Sequence, residues 1–390
     1  MITMSVPHLA LHRAMVCSGA LFFITSVCFG TMILLNQPTD DPAPVATVDA
    51  PDDAAAAAAD LDFDPLLAPT FADMPMSYGG HGRPHFENLK PISDLPSQFV
   101  PTVKNKRRLI MIGDIHGMDK ELAQLLDRVR FDEAADHLVA VGDMVTKGPS
   151  SAAVVDRLMA LNASAVRGNH EDKVLLVRAE LEERKGVSEA LAGDITDFDR
   201  GEKHHVDIAN NLTPRHIGWL SDLPVILTIK PLSMYVVHAG LVPGVDVDRQ
   251  NPWAVMNMRT LGYPREDIRR EEQARLQQGL SEVQPSPSKS KRAAEVDVDH
   301  DRDVAVPIED HSGEHWPDAW NRWQKMLPKD KRRTIIYGHD ARRGYLEDLH
   351  TVGLDTGCVR GGALTAIIIE GTRGGGWKHR REQVWCSEPA

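Results

Sequence analysis

The sequence predicts an α/β fold in which a parallel sheet, built by strand–helix alternation, packs against a second, mixed or antiparallel sheet. Three observations carry this. Strand-length apolar runs alternate with apolar residues at helical spacing between residues 109 and 183. Later apolar runs are separated by turns rather than long helices. Finally, five short polar blocks each follow a strand-like run. They are Gly113-Asp114-Ile115-His116-Gly117, Gly142-Asp143, Gly168-Asn169-His170-Glu171, His238-Ala239-Gly240 and Gly338-His339-Asp340.

Taken in order, Leu109 to Ile112 is a short buried strand, and Leu122, Leu125, Leu126 and Val129 then recur as one helix face. Leu138 to Val141 is a second strand, followed by a helix from Ala152 to Leu161. Ala163 to Val166 is a third, followed by a helix over Asp172 to Glu183. The apolar runs Val225 to Ile229, Met234 to Val237, Ile335 to Tyr337 and Ala363 to Ile369 are assigned to the second sheet. The polar stretch 185–216 reads as helical cover over the site. Residues 278–312 hold Pro285-Ser286-Pro287-Ser288 and then an acidic run, a composition that builds no core and reads as a disordered insertion. Within it, Lys289-Ser290-Lys291-Arg292 reads as a solvated loop, and no specific nucleic-acid binding is expected.

The N-terminal part is of a different kind. Residues 14–35 form an uncharged run of 22 residues, long enough to span a bilayer, ending Met32-Ile33-Leu34-Leu35, a poor cleavage site. An uncleaved signal anchor is expected. Arg13 before it and Asp40, Asp41, Asp49, Asp52 and Asp53 after it put a short tail, 1–13, in the cytosol and the remainder in a lumen. The sequons at Asn162 and Asn211 are compatible with that side. Residues 36–104, rich in Pro, Asp and Ala, read as a disordered acidic stalk, and 105–390 as the folded domain. The net charge of −12 does not exclude a polyanionic substrate, because residues 36–100 hold eleven acidic against two basic residues. That leaves −12 − (−9) = −3 for the rest. With no Cys-x-x-Cys pair, the sequence gives no support to a structural zinc knuckle. Cys358 and Cys386 are expected as free thiols, although an oxidising compartment would allow one disulfide.

The blocks carry the chemistry. On an extended segment Asp114 and His116 point to one side and can chelate one cation; Asp143 can bridge two; Asn169, His238 and His339 complete the second. Mixed carboxylate, amide and imidazole donors suit Zn, Mn, Co or Fe more than calcium. Singly, His170 reads as a core histidine and Asp143 as a helix cap; the ordered set of five does not read that way.

Those blocks resemble the calcineurin-type metallophosphoesterase superfamily and its phosphoprotein-phosphatase-like group. The resemblance implies a four-layer α/β/β/α sandwich with the site at the carboxyl ends of the strands. It implies two divalent metal ions held by Asp114, His116, Asp143, Asn169, His238 and His339, with His170 as general acid and Asp143 also in a catalytic role. Protein phosphatases of the group carry an Asp-Arg pair where this chain has Thr146 and Lys147. Thr146 cannot orient His170 with a negative charge, and Lys147 offers a cation without the arginine fork. With Leu354-Asp355-Thr356-Gly357-Cys358-Val359 and Gly361-Gly362-Ala363-Leu364-Thr365-Ala366, the Thr-Lys variant resembles the diadenosine-tetraphosphatase-like branch. That branch includes fungal vacuolar endopolyphosphatases with one N-terminal anchor. The resemblance therefore implies cleavage inside inorganic polyphosphate by a metal-bound hydroxide, at a vacuolar membrane, with Lys147, Arg259 and Arg167 meeting phosphate. Arg342 and Arg343 are weaker candidates. The alternatives are dinucleoside polyphosphate hydrolysis and serine/threonine dephosphorylation; a tethered scaffold with a dead site is disfavoured because every ligand is present. A nucleotide site should place an aromatic platform near the metals, for which Trp253 and Tyr345 are the candidates.

Overall fold

Two sheets stacked face to face, each covered by helices on its outer face, make four layers in the order α/β/β/α. The computed structural model describes residues 77–78, 81–82, 89–186, 200–279, 302, 304–374 and 376–387. All belong to the unit Asp64–Ala390; the other unit, Met1–Phe63, lies outside the described residues. So does the expected anchor, 14–35. Among the described residues no helix is long and apolar enough to cross a membrane.

The first sheet has five strands, in the order Trp377–Trp385, Ala363–Gly371, Arg108–Ile112, Asp136–Ala140, Ser164–Ala165. The last three run parallel, connected by helices α1 (Asp119–Val129) and α2 (Ser151–Ala160). Period-two alternation divides each strand between two cores. Ile110, Ile112, Leu138, Ala140 and Ile368 face Leu122, Leu125, Val154 and Leu158 of the helices. Leu109, Met111, Val139, Ile367 and Ile369 face the other sheet. The strand from Ala363 corrects the expectation: it pairs antiparallel with Arg108–Ile112 in the first sheet, not the second. Its nine-residue hairpin partner closes that edge, so the sheet is mixed.

The second sheet has six strands and is also mixed. At its centre, Thr334–Tyr337 lies parallel to both Met234–Val237 and Thr351–Gly353, and Ile226–Ile229 runs antiparallel to Met234–Val237. Its outer face buries Ile226, Val237 and Ile335 against Trp316, Trp320 and the short helix Pro252–Asn257.

Two expected boundaries move. The stalk does not extend to residue 104. Ile92–Asp94 is the edge strand of the second sheet, parallel to Ile226–Ile229, and Leu95, Phe99 and Val100 pack between the sheets. Three apolar anchors in a proline-rich stretch suffice, because the edge strand needs backbone pairing on one side only. The insertion is also shorter than expected. Helix Pro264–Gly279 precedes it, and Val306–Ile308 pairs antiparallel with Thr260–Gly262. The rest, 280–301 and 303, lies outside the described residues.

A third correction concerns the cysteines. Cys358 and Cys386 form a disulfide, joining the turn after Asp355 to the end of the C-terminal strand. They lie 28 positions apart in the chain, and the hairpin between supplies the approach.

Phe99 stacks flat on His137, with ring centroids 3.7 Å apart, and His137 Nε2 lies 2.9 Å from Ser164 Oγ. Burial foremost, then Arg107, lowers the His137 pKa to about 4, from 6.5 when exposed. The unfolded chain therefore takes up a proton first as pH falls. The stability from a neutral His137 is fully present above 6.5 and is lost as pH falls toward 4, by roughly 2–3 kcal/mol. Urea unfolding of wild type and His137→Gln at pH 7.5 and 4.5 should show that much less pH dependence in the variant; parallel curves would refute it.

Candidate active site

All five polar blocks meet at one rim, where the carboxyl ends of the strands of both sheets converge. Asp114 and His116 follow Arg108–Ile112, Asp143 follows Asp136–Ala140, and Asn169 and His170 open α3 (Asn169–Gly186) after Ser164–Ala165. His238 and His339 follow two parallel strands of the second sheet. The turns that aim these side chains are left-handed: φ is 45° at His116, 51° at Asp143, 71° at Thr146, 61° at Lys147 and 71° at His339. Such values at non-glycine residues cost energy and cluster at functional sites. They also correct the local argument for Asp114 and His116. The pair is not extended; a left-handed turn at His116 brings its Nε2 to 3.9 Å from Asp114 Oδ2. Glycine is required where backbone meets carboxylate. A β-carbon at Gly338 would sit 2.0 Å from Asp114 Oδ1, and one at Gly168 would sit 2.3 Å from Asp143 Oδ1.

Asp143 is the shared member of two donor groups, His116–Asp143–His170 and Asp143–His238–His339. Its Oδ2 lies 3.5 Å from His116 Nε2 and 3.9 Å from His170 Nε2, and its Oδ1 lies 3.2 Å from His238 Nε2. Asn169 Oδ1 is 3.0 Å from His238 Nε2, and His339 Nδ1 is 3.1 Å from it. The outer nitrogen of three of the imidazoles faces a backbone carbonyl: His116 Nδ1 that of Val145, His238 Nδ1 that of Val141, His339 Nε2 that of Asn257. Donation there turns the lone pairs inward, the arrangement that orients metal-ligating histidines.

Inward nitrogens and oxygens packed this closely call for positive charge between them. Burial and then the charges of Asp355 and Asp143 push the Asp114 carboxyl well above its usual range. Burial would also raise Asp143, but His238 and His170 hold it well below the usual range. Burial alone would depress His238, yet Asp143 raises it overall. His116 and His339 are depressed, by burial foremost. Two groups of buried carboxylate and imidazole donors, sharing Asp143, thus fit divalent cations.

His170 is depressed well below an ordinary imidazole, chiefly by burial. Thr146 Oγ1 lies 2.6 Å from its Nδ1. A hydroxyl donating to Nδ1 leaves the ring proton on Nε2, the nitrogen facing Asp143. Thr146 therefore orients the histidine through a neutral hydrogen bond where a charged pair was the family expectation. Lys147 reaches His116, with Nζ 2.9 Å from Nε2.

The site opens into a cavity of about 410 Å³ whose lining includes Lys147, Arg259, Arg342 and Arg360. A larger hollow of about 680 Å³ between α1 and α2 holds none of the donor groups and is set aside. Arg259 is fixed by donating to the carbonyls of Glu309 and His339. Arg167 corrects the expectation. It is buried away from the cavity, paired with Asp172 at 3.4 Å and donating to the Ser221 carbonyl. Arg343, Trp253 and Tyr345 are also absent from the lining; Tyr345 instead carries Arg381 over its ring.

Three features escaped the sequence reading. Asp355 lines the cavity, as do Glu309, Asp310 and His311 from the end of the insertion. Glu171, fully buried, accepts the backbone N–H groups of Asp143, Met144, Val145 and Gly168 at 2.7–3.1 Å. The only sequence signal for it was its place inside the third block.

Buried imidazoles facing carboxylates in a cavity lined also by guanidinium and ammonium groups define a class, the metal-dependent hydrolases of phosphate esters and anhydrides. Within that class the chain belongs to the calcineurin-like phosphoesterase family, whose pattern matches residues 107–343, more than half its length. It is similar to the symmetrical bis(5'-nucleosyl)-tetraphosphatase of Coxiella burnetii, 27% identical over 279 residues, covering 69% of this chain and 90% of the relative. The enzyme of the same description from Vibrio parahaemolyticus is 28% identical over 278 residues, covering 67% and 94%. A crystal structure of a candidate diadenosine tetraphosphatase aligns with a TM-score of 0.51 at 28% identity, over 76% of this chain and 99% of that one.

Proposed function

We propose that this protein hydrolyses phosphoanhydride bonds within chains of several phosphates, with dinucleoside tetraphosphate as the substrate. The observation that carries the class is the presence of Lys147, Arg259, Arg342 and Arg360 in the lining of the cavity that also holds the donor groups, more cations than a single phosphomonoester needs. The choice of dinucleoside tetraphosphate is supported by the names of the relatives. In this reading Asp114, His116, Asp143, Asn169, His238 and His339 hold two divalent cations. These would supply charge neutralisation and activation of water. His170 would donate a hydrogen bond from Nε2 to the departing oxygen, Thr146 would keep the ring proton on that nitrogen, and Lys147 and Arg259 would hold the flanking phosphates.

A second reading, cleavage inside inorganic polyphosphate, is supported by one specific observation. Among the described residues lining the cavity there is no Trp, Tyr or Phe to stack a base.

The purified chain, supplied in turn with Zn, Mn, Co and Mg, should be given diadenosine tetraphosphate, long-chain polyphosphate and a phosphopeptide. ADP released from the first is the expected result. Polyphosphate shortened through intermediate lengths, with the dinucleotide untouched, would replace the first reading by the second. Turnover of the phosphopeptide alone would sink both.

A further inference from the structure

The Thr146-Lys147 turn places two consecutive non-glycine residues in the left-handed region, at φ 71° and 61°. Each costs on the order of 1–3 kcal/mol, so such a turn persists only where its surroundings over-determine it. Two side chains hold its backbone. Ser151 Oγ accepts the N–H of Thr146 at 2.9 Å, and His204 Nε2 accepts the N–H of Lys147 at 3.0 Å. Ser151 is local, five residues along the chain. His204 is not: it comes from α4 (Arg200–Asn211), 57 residues away. The adjacent His205, buried, stacks on His170 with centroids 5.8 Å apart and planes inclined by 19°. One helix thus meets both the ring of His170 and the turn that carries Lys147.

We propose that His204 is a positioning residue for phosphate binding: by accepting the Lys147 N–H it fixes the left-handed turn and so aims the Lys147 ammonium into the site. This rests on the reading of Lys147 as a phosphate contact. His204 itself does not line the cavity. It acts on substrate only through Lys147, so its loss weakens binding without removing any group from the chemistry. The role needs an acceptor where Nε2 lies. Glutamine places its amide oxygen there, whereas alanine offers nothing and lysine offers only donors.

The test is a double-mutant cycle in the full chain with His204→Ala, Lys147→Ala and both together. Bis(p-nitrophenyl) phosphate is the reporter and inorganic phosphate the competitive inhibitor, so the cycle does not depend on which polyphosphate is native. His204→Ala should raise KM and the phosphate inhibition constant about five- to tenfold, with kcat within about twofold, the signature of lost ground-state binding. The double variant should be no worse than Lys147→Ala, because coupled residues are not additive. His204→Gln should recover most of the loss and His204→Lys none. Additive effects, or a failure of His204→Gln to rescue, overturn the proposal while leaving the phosphate role of Lys147 intact. A silent Lys147→Ala overturns both.

Discussion

Replacing Asp143 by Asn should lower kcat about a thousandfold, the scale on which enzymes lose activity when a group that charges and orients the reacting centre is removed. Asp143 is the one residue common to both donor groups, with each oxygen turned to a different set of imidazoles. It is buried and held ionised by His238 and His170 against the cost of that burial. Asparagine keeps the shape and loses the charge. One of its two terminal atoms becomes a donor facing His238 on one side or His116 on the other, so one group is broken whichever way the amide turns. Bound metal should fall along with activity, and atomic emission on the purified variant reads this independently of turnover. Wild-type metal content with kcat within tenfold of wild type would show that Asp143 is not the bridging ligand.

Glu171→Gln should destabilise the fold by about 3–5 kcal/mol and abolish activity, although Glu171 does not line the cavity. Its Oε1 accepts from Met144 and Val145, and its Oε2 from Asp143 and Gly168. A glutamine amide must turn its NH2 toward two of these donors. That leaves two backbone N–H groups buried without acceptors, each costing about 1–3 kcal/mol. The segment that loosens carries Asp143 in its left-handed turn, so the carboxylate shared by both donor groups loses its aim along with the stability. Urea unfolding followed by fluorescence measures the first effect and turnover the second. A midpoint unchanged from wild type would mean that the four contacts contribute little. An unstable but active variant would mean that Asp143 is held by other means.

The two roles differed in how visible they were. Asp143 was legible because a glycine-aspartate pair after an apolar strand is a local pattern, and the same holds for Asp114, His116, Asn169, His238 and His339. Glu171 sits one residue after His170 and looks like an exposed glutamate in the first turn of a helix. Three of its four donors lie 26–28 residues away. Arg167 misled in the opposite direction. Next to Gly168 it looked like a phosphate ligand, but its strand ends with the side chain facing Asp172 and Ser221. The strand from Ala363 was placed in the wrong sheet because an apolar run states that it is buried, not which neighbour it pairs with. His204 gave no signal beyond lying in a polar stretch expected to be helical.

What the sequence by itself determined was the repertoire: which segments are strands, which face of each is apolar, and which side chains able to bind a metal stand at their ends. These depend on residues within a turn or two of one another, through side-chain periodicity and the preference of glycine for tight approach. The tertiary structure alone decided which of those side chains face one another. It turned His116, Asp143 and His339 through left-handed backbone, moved Arg167 out of the site, and brought in Glu171, His204, Asp355 and the end of the insertion. Those outcomes follow from strand order and register across two sheets, where residues distant in the chain supply the donors, acceptors and charges that hold a strained turn in place.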